Sequence, residues 1–424
     1  MKILVVGGGG REHAIIKKIK ENPKVTEIFA LPGNGGIAAD ATCIPIAAND
    51  ISAIAAFAQE KGIDFAVVGP DDPLVLGCVD ALADIGIECF GPNKKAAILE
   101  GSKVFSKNLM KDFNIPTAAY EVFSDPDEAI AYLESAPYPA VIKADGLALG
   151  KGVVIAESFG DAQNAIKSIM QDKIFGASGN QIVIEEFLTG PEVSVLSFTD
   201  GKALIPMVSS MDHKRAGDGD KGPNTGGMGT IAPNPYYTKE IADQCMDEIF
   251  IPTMAAMNSL GRTFKGCLYF GLMLTPKGPK VIEYNCRFGD PETQVVLPLL
   301  ETDLLDIMMA VSRSELDKMN VKFSSGAACC VVVASNGYPG SYEKGFVMTL
   351  PPLASNQDIY IAGATLDGGV LKTNGGRVLG AVGFADNLKS AIEVAYTTAE
   401  GIKFENAYYR HDIGERALQA LSEV

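Results

Sequence analysis

Short β-type runs alternate with helical patterns through the first part of the chain. The β-type runs lie at 3–6, 27–30, 65–68 and 88–90, and the helical patterns include 51–59 and 75–85. This alternation is typical of βαβ units and predicts a parallel sheet. Each run ends in a turn rich in glycine or proline, with the sequences GGGG, LPGNGG, VGPDDP and FGPN. Ligands bind at the carboxyl edge of such sheets, so we expect a binding site there.

The pattern changes to α+β between about 101 and 190. Asp125, Pro126 and Glu128 form a typical helix start, with an N-cap acid followed by proline at the first helical position. Predicted strands at 140–143 and 153–156 flank the sequence DGLALGKG, and a helix near 162–170 and a strand at 182–187 follow. Two strands joined by a glycine-rich tip indicate a mobile hairpin lid.

The second half of the chain predicts strands at 193–198, 204–208, 267–275 and 280–285, with a long loop at 212–235. A loop of that length is usually functional or disordered. A helical pattern at 304–316 and a polar hinge near 323–326 precede short strands, with helices near 387–401 and 413–422. We therefore predict a mixed α/β and α+β multidomain fold with a boundary near 325.

The composition excludes several classes of protein. A chain of 424 residues exceeds one hydrophobic core, because domains cluster at roughly 100–200 residues. A net charge of −16 disfavours nucleic acid, and no apolar run approaches the roughly 20 residues that cross a bilayer. The N-terminus MKILVVGGGG lacks a signal-peptide pattern, so we expect a cytoplasmic location. With three histidines and eight cysteines but no CxxC pair, we expect reduced core cysteines and no histidine-built zinc site.

The glycines at 7–10 follow a predicted strand and precede a helix, which is a geometry that binds anions. They depart from the dinucleotide fingerprint, because Glu12 occupies the third glycine position and no acid ends the second strand. A tight turn without a ligand is the structural alternative. Arg11 favours a phosphate.

The sequence DGLALGKG resembles a phosphate-binding P-loop but has one residue too few between its glycines. Gly152 also occupies the position where serine or threonine would bind magnesium, so we reject a P-loop. Lys143 on the preceding strand, together with Gly150 and Lys151 at the tip, could still contact triphosphate oxygens. An isolated glycine-rich hairpin is the alternative.

Two acids, Glu185 and Glu186, interrupt the apolar strand end VIEEFL, and Glu192 follows. This pattern fits a hinge whose backbone recognises adenine while Glu192 binds the ribose. A solvated strand terminus fits it equally well.

Glu283 and Asn285 lie two apart in the strand VIEYNC and therefore project from the same face. A carboxylate and an amide oxygen suit Mg²⁺, although edge strands often carry such residues. Arg287 follows at once and is better suited to a substrate anion than to folding. Cys286 has the opposite parity, so we expect it to pack in the core rather than to form a thioester.

Together these motifs resemble the ATP-grasp ligases and, within them, the phosphoribosylamine–glycine ligase family. The likeness extends over essentially the whole chain, through GGGGREHA, VGPDDPL, GPNKKAAILEGSK, VIKADGLALGKGVV, VIEEFLTGPEVS, DHKRAGDGDKGPNTGGMG, EYNCRFGDPETQ, GGRVLG and RHDIGERA. It implies an N-terminal parallel-sheet α/β domain (1–101), a two-lobed ATP-grasp domain (102–325) with a lid at about 118–188, and a small β-rich C-terminal domain (326–424).

The resemblance implies that ATP, glycine and 5-phosphoribosylamine give glycinamide ribonucleotide, ADP and phosphate through glycyl phosphate, an early step of purine biosynthesis. Mg²⁺ or Mn²⁺ would be the metal cofactor, and the partners would be these small molecules, with no nucleic acid and no membrane. A monomer is expected rather than a dimer.

The resemblance also implies roles for individual residues. Those implied for ATP are Lys103, Lys143, Gly150, Lys151, Gly152, Glu185, Glu186, Phe187, Leu188 and Glu192. The implied metal ligands are Glu283 and Asn285, and the implied catalytic residues are Arg287, Asp212 and Lys214. Those implied for the substrates are Gly9, Gly10, Arg11, Gly33, Asn34, His213, Asn224, Thr225, Gly226, Gly227, Met228, Asp290 and Pro291.

One departure concerns the metal. Many ATP-grasp enzymes take a second metal ligand from the neighbouring strand, but residues 267–274 contain no acid. Either Glu283 bridges two ions, or one ion suffices with waters completing its shell.

Three other functions stay open at this point. The first is a related purine ATP-grasp ligase that uses another carboxylate, such as formate. The second is a dinucleotide-dependent oxidoreductase built on the GGGG turn, and the third is a nucleotide sensor without activity. The intact Glu283, Asn285 and Arg287 disfavour the sensor.

Overall fold

The computed structural model describes residues 1–148 and 152–422. Its strands are β1 (Lys2–Gly7), β2 (Glu27–Pro32), β3 (Thr42–Cys43), β4 (Phe65–Val68), β5 (Glu88–Phe90), β6 (Tyr120–Phe123), β7 (Ala140–Ala144), β8 (Val153–Ala156), β9 (Ile182–Glu186), β10 (Glu192–Thr199), β11 (Leu204–Pro206), β12 (Met211–Asp212), β13 (Arg215–Gly217), β14 (Lys221–Asn224), β15 (Gly229–Ala232), β16 (Gly266–Thr275), β17 (Gly278–Asn285), β18 (Ala327–Ser335), β19 (Gln357–Ile361), β20 (Ala364–Asp367), β21 (Val370–Thr373), β22 (Arg377–Ala385) and β23 (Ala407–Tyr408).

The α-helices are α1 (Gly10–Lys20), α2 (Ile51–Lys61), α3 (Asp71–Leu76), α4 (Cys78–Asp84), α5 (Lys94–Gly101), α6 (Lys103–Asp112), α7 (Pro126–Leu133), α8 (Phe159–Ile166), α9 (Lys239–Cys245), α10 (Ile251–Ser259), α11 (Thr293–Val296), α12 (Leu304–Ser312), α13 (Leu388–Gly401) and α14 (Glu415–Ser422). Among the described residues, no helix is both long and apolar enough to span a membrane.

The N-terminal sheet is parallel, as the alternating pattern predicts, with the strand order β3-β2-β1-β4-β5. Strand β1 is buried on both faces, which explains why its sequence is continuously apolar. The prediction of one continuous helix at 75–85 is wrong. Gly77 has φ 94°, a left-handed conformation, and separates α3 from α4.

Two antiparallel sheets form the middle of the chain. One has the order β6-β9-β7-β8, in which β7 and β8 form the predicted hairpin with Lys143 opposite Val153. The other has the order β11-β10-β16-β17. The N-cap predicted at Asp125 is confirmed, since its side chain accepts hydrogen bonds from the amides of Asp127 and Glu128.

The prediction of a long loop at 212–235 is wrong. This segment contains β12, the antiparallel hairpin β13–β14, and β15. Strand β15 is completely buried and pairs with β18, so that the C-terminal sheet runs β12-β15-β18-β22-β19. The sheet thus takes strands from both sides of residue 325. The helix predicted at 304–316 also ends earlier, because α12 stops at Ser312.

One hydrophobic cluster connects the parts of the chain. It contains Ile3 and Ile15 from the N-terminal region, Leu196 and Leu304 from the middle, and Val332 from the C-terminal sheet. Because apolar side chains from all three regions share a core, the three regions are packed against one another.

Candidate active site

A cleft opens between α5, α6, the hairpin β7–β8, β9 and β17. We call it the central cleft. Its walls are rich in charge, since they include Asp71, Glu100, Lys103, Lys107, Lys143, Glu185, Glu283 and Arg287, and the amide of Asn285 lies among them. Gly152 also lines it, whereas Gly150 and Lys151, predicted for the lid tip, lie outside the described residues.

Glu283 and Asn285 both line the central cleft from β17. The intervening Tyr284 faces the core, where its hydroxyl lies 2.9 Å from that of Thr253. Burial by itself would raise the pKa of Glu283, but nearby Lys214, Lys143 and Lys103 outweigh burial and hold it below its ordinary value. An anionic carboxylate beside an amide oxygen is a donor set that suits Mg²⁺ or Mn²⁺.

Arg287 presents its guanidinium to the same cleft. Its Nη2 lies 3.0 Å from Glu100 Oε1 and donates to Asn285 Oδ1 at 3.3 Å. Its Nε is buried and has no hydrogen-bond partner among the described residues. A buried cationic donor without a partner fits an anionic ligand, because such a group is costly to leave unsatisfied.

The two lysines predicted for the ATP phosphates have protein partners in this structure. Lys103 Nζ donates to the carbonyl of Gly146 at 2.6 Å. Lys143 Nζ lies 2.9 Å from Glu185 Oε1 and donates to the carbonyl of Ile282 at 3.1 Å. Lys103 is therefore held at the residue Gly146, just after β7, and Lys143 is held against β17.

Glu185 is buried between two lysines and is 5% exposed. Its second carboxylate oxygen lies 3.0 Å from Lys107 Nζ. Glu186 accepts hydrogen bonds from the amide of Ala119 and from Lys280 Nζ. Since these two carboxylates have partners, contacts from the predicted adenine hinge would come from the backbone that leads to Phe187 and Leu188, where Phe187 is 40% exposed.

Lys214 brings the 212–229 segment to the edge of the cleft. Its Nζ lies 3.2 Å from Glu192 Oε2, the carboxylate predicted for the ribose. Glu192 is the main reason that the pKa of Lys214 lies well above its ordinary value, and Glu283 adds to the effect. The structure therefore brings a cation from this segment towards the predicted metal ligand.

The other polar residues of the 212–229 segment are engaged within the protein. Burial raises the pKa of Asp212 far above its ordinary value, and the charge of Glu292 raises it further. His213 is 1% exposed, donates from Nδ1 to Gly229 O and accepts at Nε2 from the amide of Gly414. His213 thus joins the segment to the chain end, and its predicted substrate contact stays a prediction.

The glycine-rich part of this segment uses its amides internally. The amides of Thr225, Gly226, Gly227 and Met228 donate to Lys214 O, Tyr338 Oη, Thr225 Oγ1 and His213 O. Asn224 lies in the exposed strand β14. The predicted substrate contacts of these residues stay predictions, because in this structure their amides have protein partners.

A second cleft lies between the N-terminal sheet and the C-terminal region. It is lined by Gly8, Pro32, Gly33, Asn34, Gly35, Ala38, Cys43, Ala362, Gly363, Ala364, Thr365, Leu366 and Asn374. The carboxamide of Asn34 is fully used, since Nδ2 donates to Gly8 O and Ile361 O and Oδ1 accepts the amides of Gly36 and Ile37. Asn34 therefore shapes this cleft by joining its two walls.

The start of α1 follows Gly8, which lines the second cleft. An ideal Cβ on Gly9 would lie 3.4 Å from Asp290 Oδ2, and one on Gly10 would lie 2.8 Å from Gln294 Nε2. Arg11 donates to Glu12 Oε1 and to the carbonyl of Phe288. The loop that follows β17 thus packs directly on this helix start, which brings the predicted residues Gly9, Gly10, Arg11, Asp290 and Pro291 into one region.

Several charged residues at this site were not predicted from the sequence. Lys107 lies one helical turn after Lys103 on α6, and this spacing could have revealed it. Arg377 in the motif GGRVLG donates from Nη1 to the carbonyls of Gly226 and Asp290, at 2.7 and 2.8 Å. Glu100 is an acid inside an otherwise apolar helical pattern, AAILEG, which could have marked it as a buried charge.

Comparisons with known proteins agree with this geometry. Models of the phosphoribosylglycinamide synthetase N domain, ATP-grasp (A) domain and C domain match residues 1–100, 101–293 and 328–416. The chain belongs to the phosphoribosylglycinamide synthetase family. The resemblance to ATP-grasp ligases and the mixed α/β multidomain fold class are thereby confirmed, and the GGGG turn belongs to this family's N domain rather than to an oxidoreductase.

Full-length relatives of this phosphoribosylglycinamide synthetase family member are phosphoribosylamine–glycine ligases. The Clostridium acetobutylicum protein is 48% identical over 98% of this chain and 100% of its own length. The Vibrio vulnificus protein is 45% identical over 99% of both chains. A Thermotoga maritima phosphoribosylamine–glycine ligase structure has a TM-score of 0.83 and 36% identity, covering 97% of this chain and 100% of that one.

More distant structures share the fold alone. The biotin carboxylase domain of Hydrogenobacter thermophilus 2-oxoglutarate carboxylase, solved with MgADP, has a TM-score of 0.75 at 16% identity. It covers 96% of this chain and 91% of its own. The arrangement of three packed regions therefore extends beyond the phosphoribosylglycinamide synthetase family.

Proposed function

We propose that the chain catalyses the ATP-dependent ligation of glycine to 5-phosphoribosylamine, giving glycinamide ribonucleotide, ADP and phosphate in purine biosynthesis. The observation that carries this proposal is the full-length likeness to phosphoribosylamine–glycine ligases, at 48% identity over 98% of the chain. The charged central cleft supports it, because phosphoryl transfer depends mainly on positioning and charge neutralisation.

Glu283 and Asn285 would hold the Mg²⁺ or Mn²⁺ ion, since both line the cleft and carry oxygen donors. A bound ion of this kind neutralises charge on the transferring phosphoryl group. Lys103 and Lys143 would contact the phosphates of ATP, with Gly152 and the neighbouring Gly150 and Lys151 covering them. The backbone from Glu185 to Leu188 would contact adenine, and Glu192 would bind the ribose.

The reaction has two chemical steps. The glycine carboxylate first attacks the γ-phosphorus of ATP, so that ADP leaves and glycyl phosphate forms. The amine nitrogen of phosphoribosylamine then attacks the glycyl carbonyl carbon, phosphate leaves, and the nitrogen loses a proton. Activation is needed because a free carboxylate is a poor electrophile.

Arg287 is the residue best suited to hold the glycine carboxylate and then the acyl phosphate, because its buried Nε lacks a partner among the described residues. Lys214, whose positive charge lies near Glu283, would stabilise negative charge on the reacting groups. Asp212, two residues before Lys214 in the same segment, would accept the proton that the amine loses. Gly9, Gly10, Arg11, Gly33, Asn34, His213, Asp290, Pro291 and the segment from Asn224 to Met228 would form the walls around the phosphoribosylamine and glycine.

We further propose that the functional units follow the division 1–101, 102–325 with a lid at about 118–188, and 326–424.

The net charge of −16 supports small-molecule partners rather than nucleic acid. We propose a monomer in the cytoplasm, and sedimentation of the purified chain would test its oligomeric state.

The function is tested by measuring ADP release with ATP, Mg²⁺, glycine and phosphoribosylamine, and again with each omitted in turn. We expect ADP release to require glycine. Equal release without glycine would contradict the proposal. A requirement for formate in place of glycine would instead indicate a related purine ligase.

A further inference from the structure

Glu100, in the last turn of α5, is a buried acid that the proposed mechanism does not use. Its side chain is 7% exposed, and its two oxygens have different partners. Oε1 lies 3.0 Å from Arg287 Nη2, and Oε2 accepts the backbone amide of Cys286 at 2.6 Å. One carboxylate therefore fixes both the main chain at the end of β17 and the guanidinium that follows it.

The other contacts of Arg287 define which part of the guanidinium remains available. Nη2 also donates to Asn285 Oδ1 at 3.3 Å, and Nη1 donates to the carbonyl of Phe288 at 3.4 Å. Nε alone is buried without a partner among the described residues. With Nη2 held by Glu100, the free Nε has a fixed direction within the cleft.

The ion pair between Glu100 and Arg287 lies in a buried place, where few water molecules screen its charges. Burial raises the pKa of Glu100 to about 7, although Arg287 opposes the effect, and Asp71 from the VGPDDPL motif raises it further. In such a desolvated place, removal of one partner leaves the other charge uncompensated.

We propose that Glu100 is a positioning residue, which orients the guanidinium of Arg287 so that Nε faces the carboxylate substrate. This inference rests on the proposed function, because it assigns Arg287 to glycine and the acyl phosphate. Glu100 would not touch the substrate and would act only through Arg287. Asp71 in the motif VGPDDPL and Glu100 in the motif GPNKKAAILEGSK would then serve the same arginine.

The test is Glu100→Gln, which keeps the volume of the side chain and removes its charge. The KM values for glycine and ATP are measured from glycine-dependent ADP release at saturating concentrations of the other substrates. We expect the KM for glycine to rise about tenfold, as for the loss of a charge-assisted hydrogen bond, while the KM for ATP changes less than about twofold. A merely structural role would move both or neither. An unchanged KM for glycine would overturn the inference.

The matched control is Glu88→Gln. Glu88 lies on β5 and pairs with Arg313 after α12 at 2.8 Å, so this pair also joins the N-terminal sheet to a later element. It does not line the central cleft. We expect Glu88→Gln to leave the KM for glycine at the wild-type value, and an increase equal to that of Glu100→Gln would overturn the inference.

A double-mutant cycle tests whether Glu100 acts through Arg287 or has an effect of its own on glycine binding. If Glu100 acts through Arg287, Glu100→Gln added to Arg287→Lys should raise the KM for glycine by less than about twofold beyond Arg287→Lys alone. Effects that multiply in full would overturn the inference.

Should Glu100→Gln unfold the chain, Glu100→Asp is the second variant, because it keeps the charge and shortens the side chain. We expect its KM for glycine to lie above the wild-type value, and an unchanged value would overturn the inference.

The failure of this inference can be told from failure of the proposed function. If the wild-type chain releases no ADP with glycine and phosphoribosylamine, the proposed function fails. If the wild-type chain is active and Glu100→Gln has an unchanged KM for glycine, only the inference fails.

Discussion

The guanidinium of Arg410 donates to both carboxylate oxygens of Asp412, at 2.8 and 2.7 Å, although the Arg410 side chain is 1% exposed. Its Nη1 donates to the carbonyl of Arg215 and to Asp220 Oδ1, both at 3.0 Å. The motif RHDIGERA near the chain end therefore holds the base of the 212–229 segment. It contributes to the site through that segment and does not line either cleft.

Asp412→Asn should strongly destabilise the protein, because it leaves the buried Arg410 with an incomplete set of anionic partners. We expect a loss of about 3 kcal/mol or more in the free energy of unfolding, measured by urea denaturation. Arg416→Gln is the control, since Arg416 pairs with Asp220 but its side chain is 54% exposed. Its cost should be below about 1 kcal/mol, and equal costs for the two variants would contradict this account.

Stability should fall with acid because of His213. Burial lowers the pKa of His213 to about 4, with Arg410 and Arg416 adding to the effect, from an ordinary value of 6.5. A lowered pKa means that the unfolded chain binds the proton first, so this stability is full above pH 6.5 and is lost as pH falls towards 4.

The corresponding measurement compares the wild type with His213→Asn by urea denaturation between pH 4 and 8. The stability advantage of the wild type over the variant should grow by about 3 kcal/mol between pH 4 and pH 8, because only the His213 contribution is removed. Parallel pH profiles of the two proteins would argue against this role for His213.

Glu283→Gln should reduce turnover by roughly 100-fold or more, since a charge contact to a bound metal is worth several kcal/mol. The volume of the side chain is kept, so circular dichroism and the urea midpoint should show an intact fold. The KM for ATP and the Mg²⁺ dependence of turnover should change together. Wild-type turnover would remove Glu283 from the site.

Cys286→Ala should retain most of the activity. The thiol is 1% exposed, its Sγ lies 3.6 Å from the carbonyl of Ala97, and burial raises its pKa well above the ordinary value. A buried neutral thiol is poorly suited to form a thioester. We expect turnover within about threefold of wild type and a stability loss of about 1 kcal/mol. A loss of turnover with the fold retained would show that the thiol takes part in the chemistry.

Local patterns predicted much of the fold. The strands predicted at 65–68 and 88–90 match β4 and β5, and the hairpin around DGLALGKG appears as β7 and β8. These predictions succeed because strand periodicity and glycine turns depend on neighbouring residues. The 212–235 prediction failed because β13, β14 and β15 contain glycine or proline and show no clear alternation. Strand β15 is stabilised by β18, which lies far along the chain.

The sequence by itself determined that Glu283 and Asn285 share one face of a strand and that Cys286 points away, because side chains alternate along any strand. It also determined the family, through ordered motifs over the whole length. Only the tertiary structure decided that Glu100 meets Arg287, that Lys214 reaches Glu192 and that Arg377 contacts the loop around Asp290. These contacts join residues from separate sheets, and their geometry follows from how the sheets pack on a shared core, which local patterns do not encode.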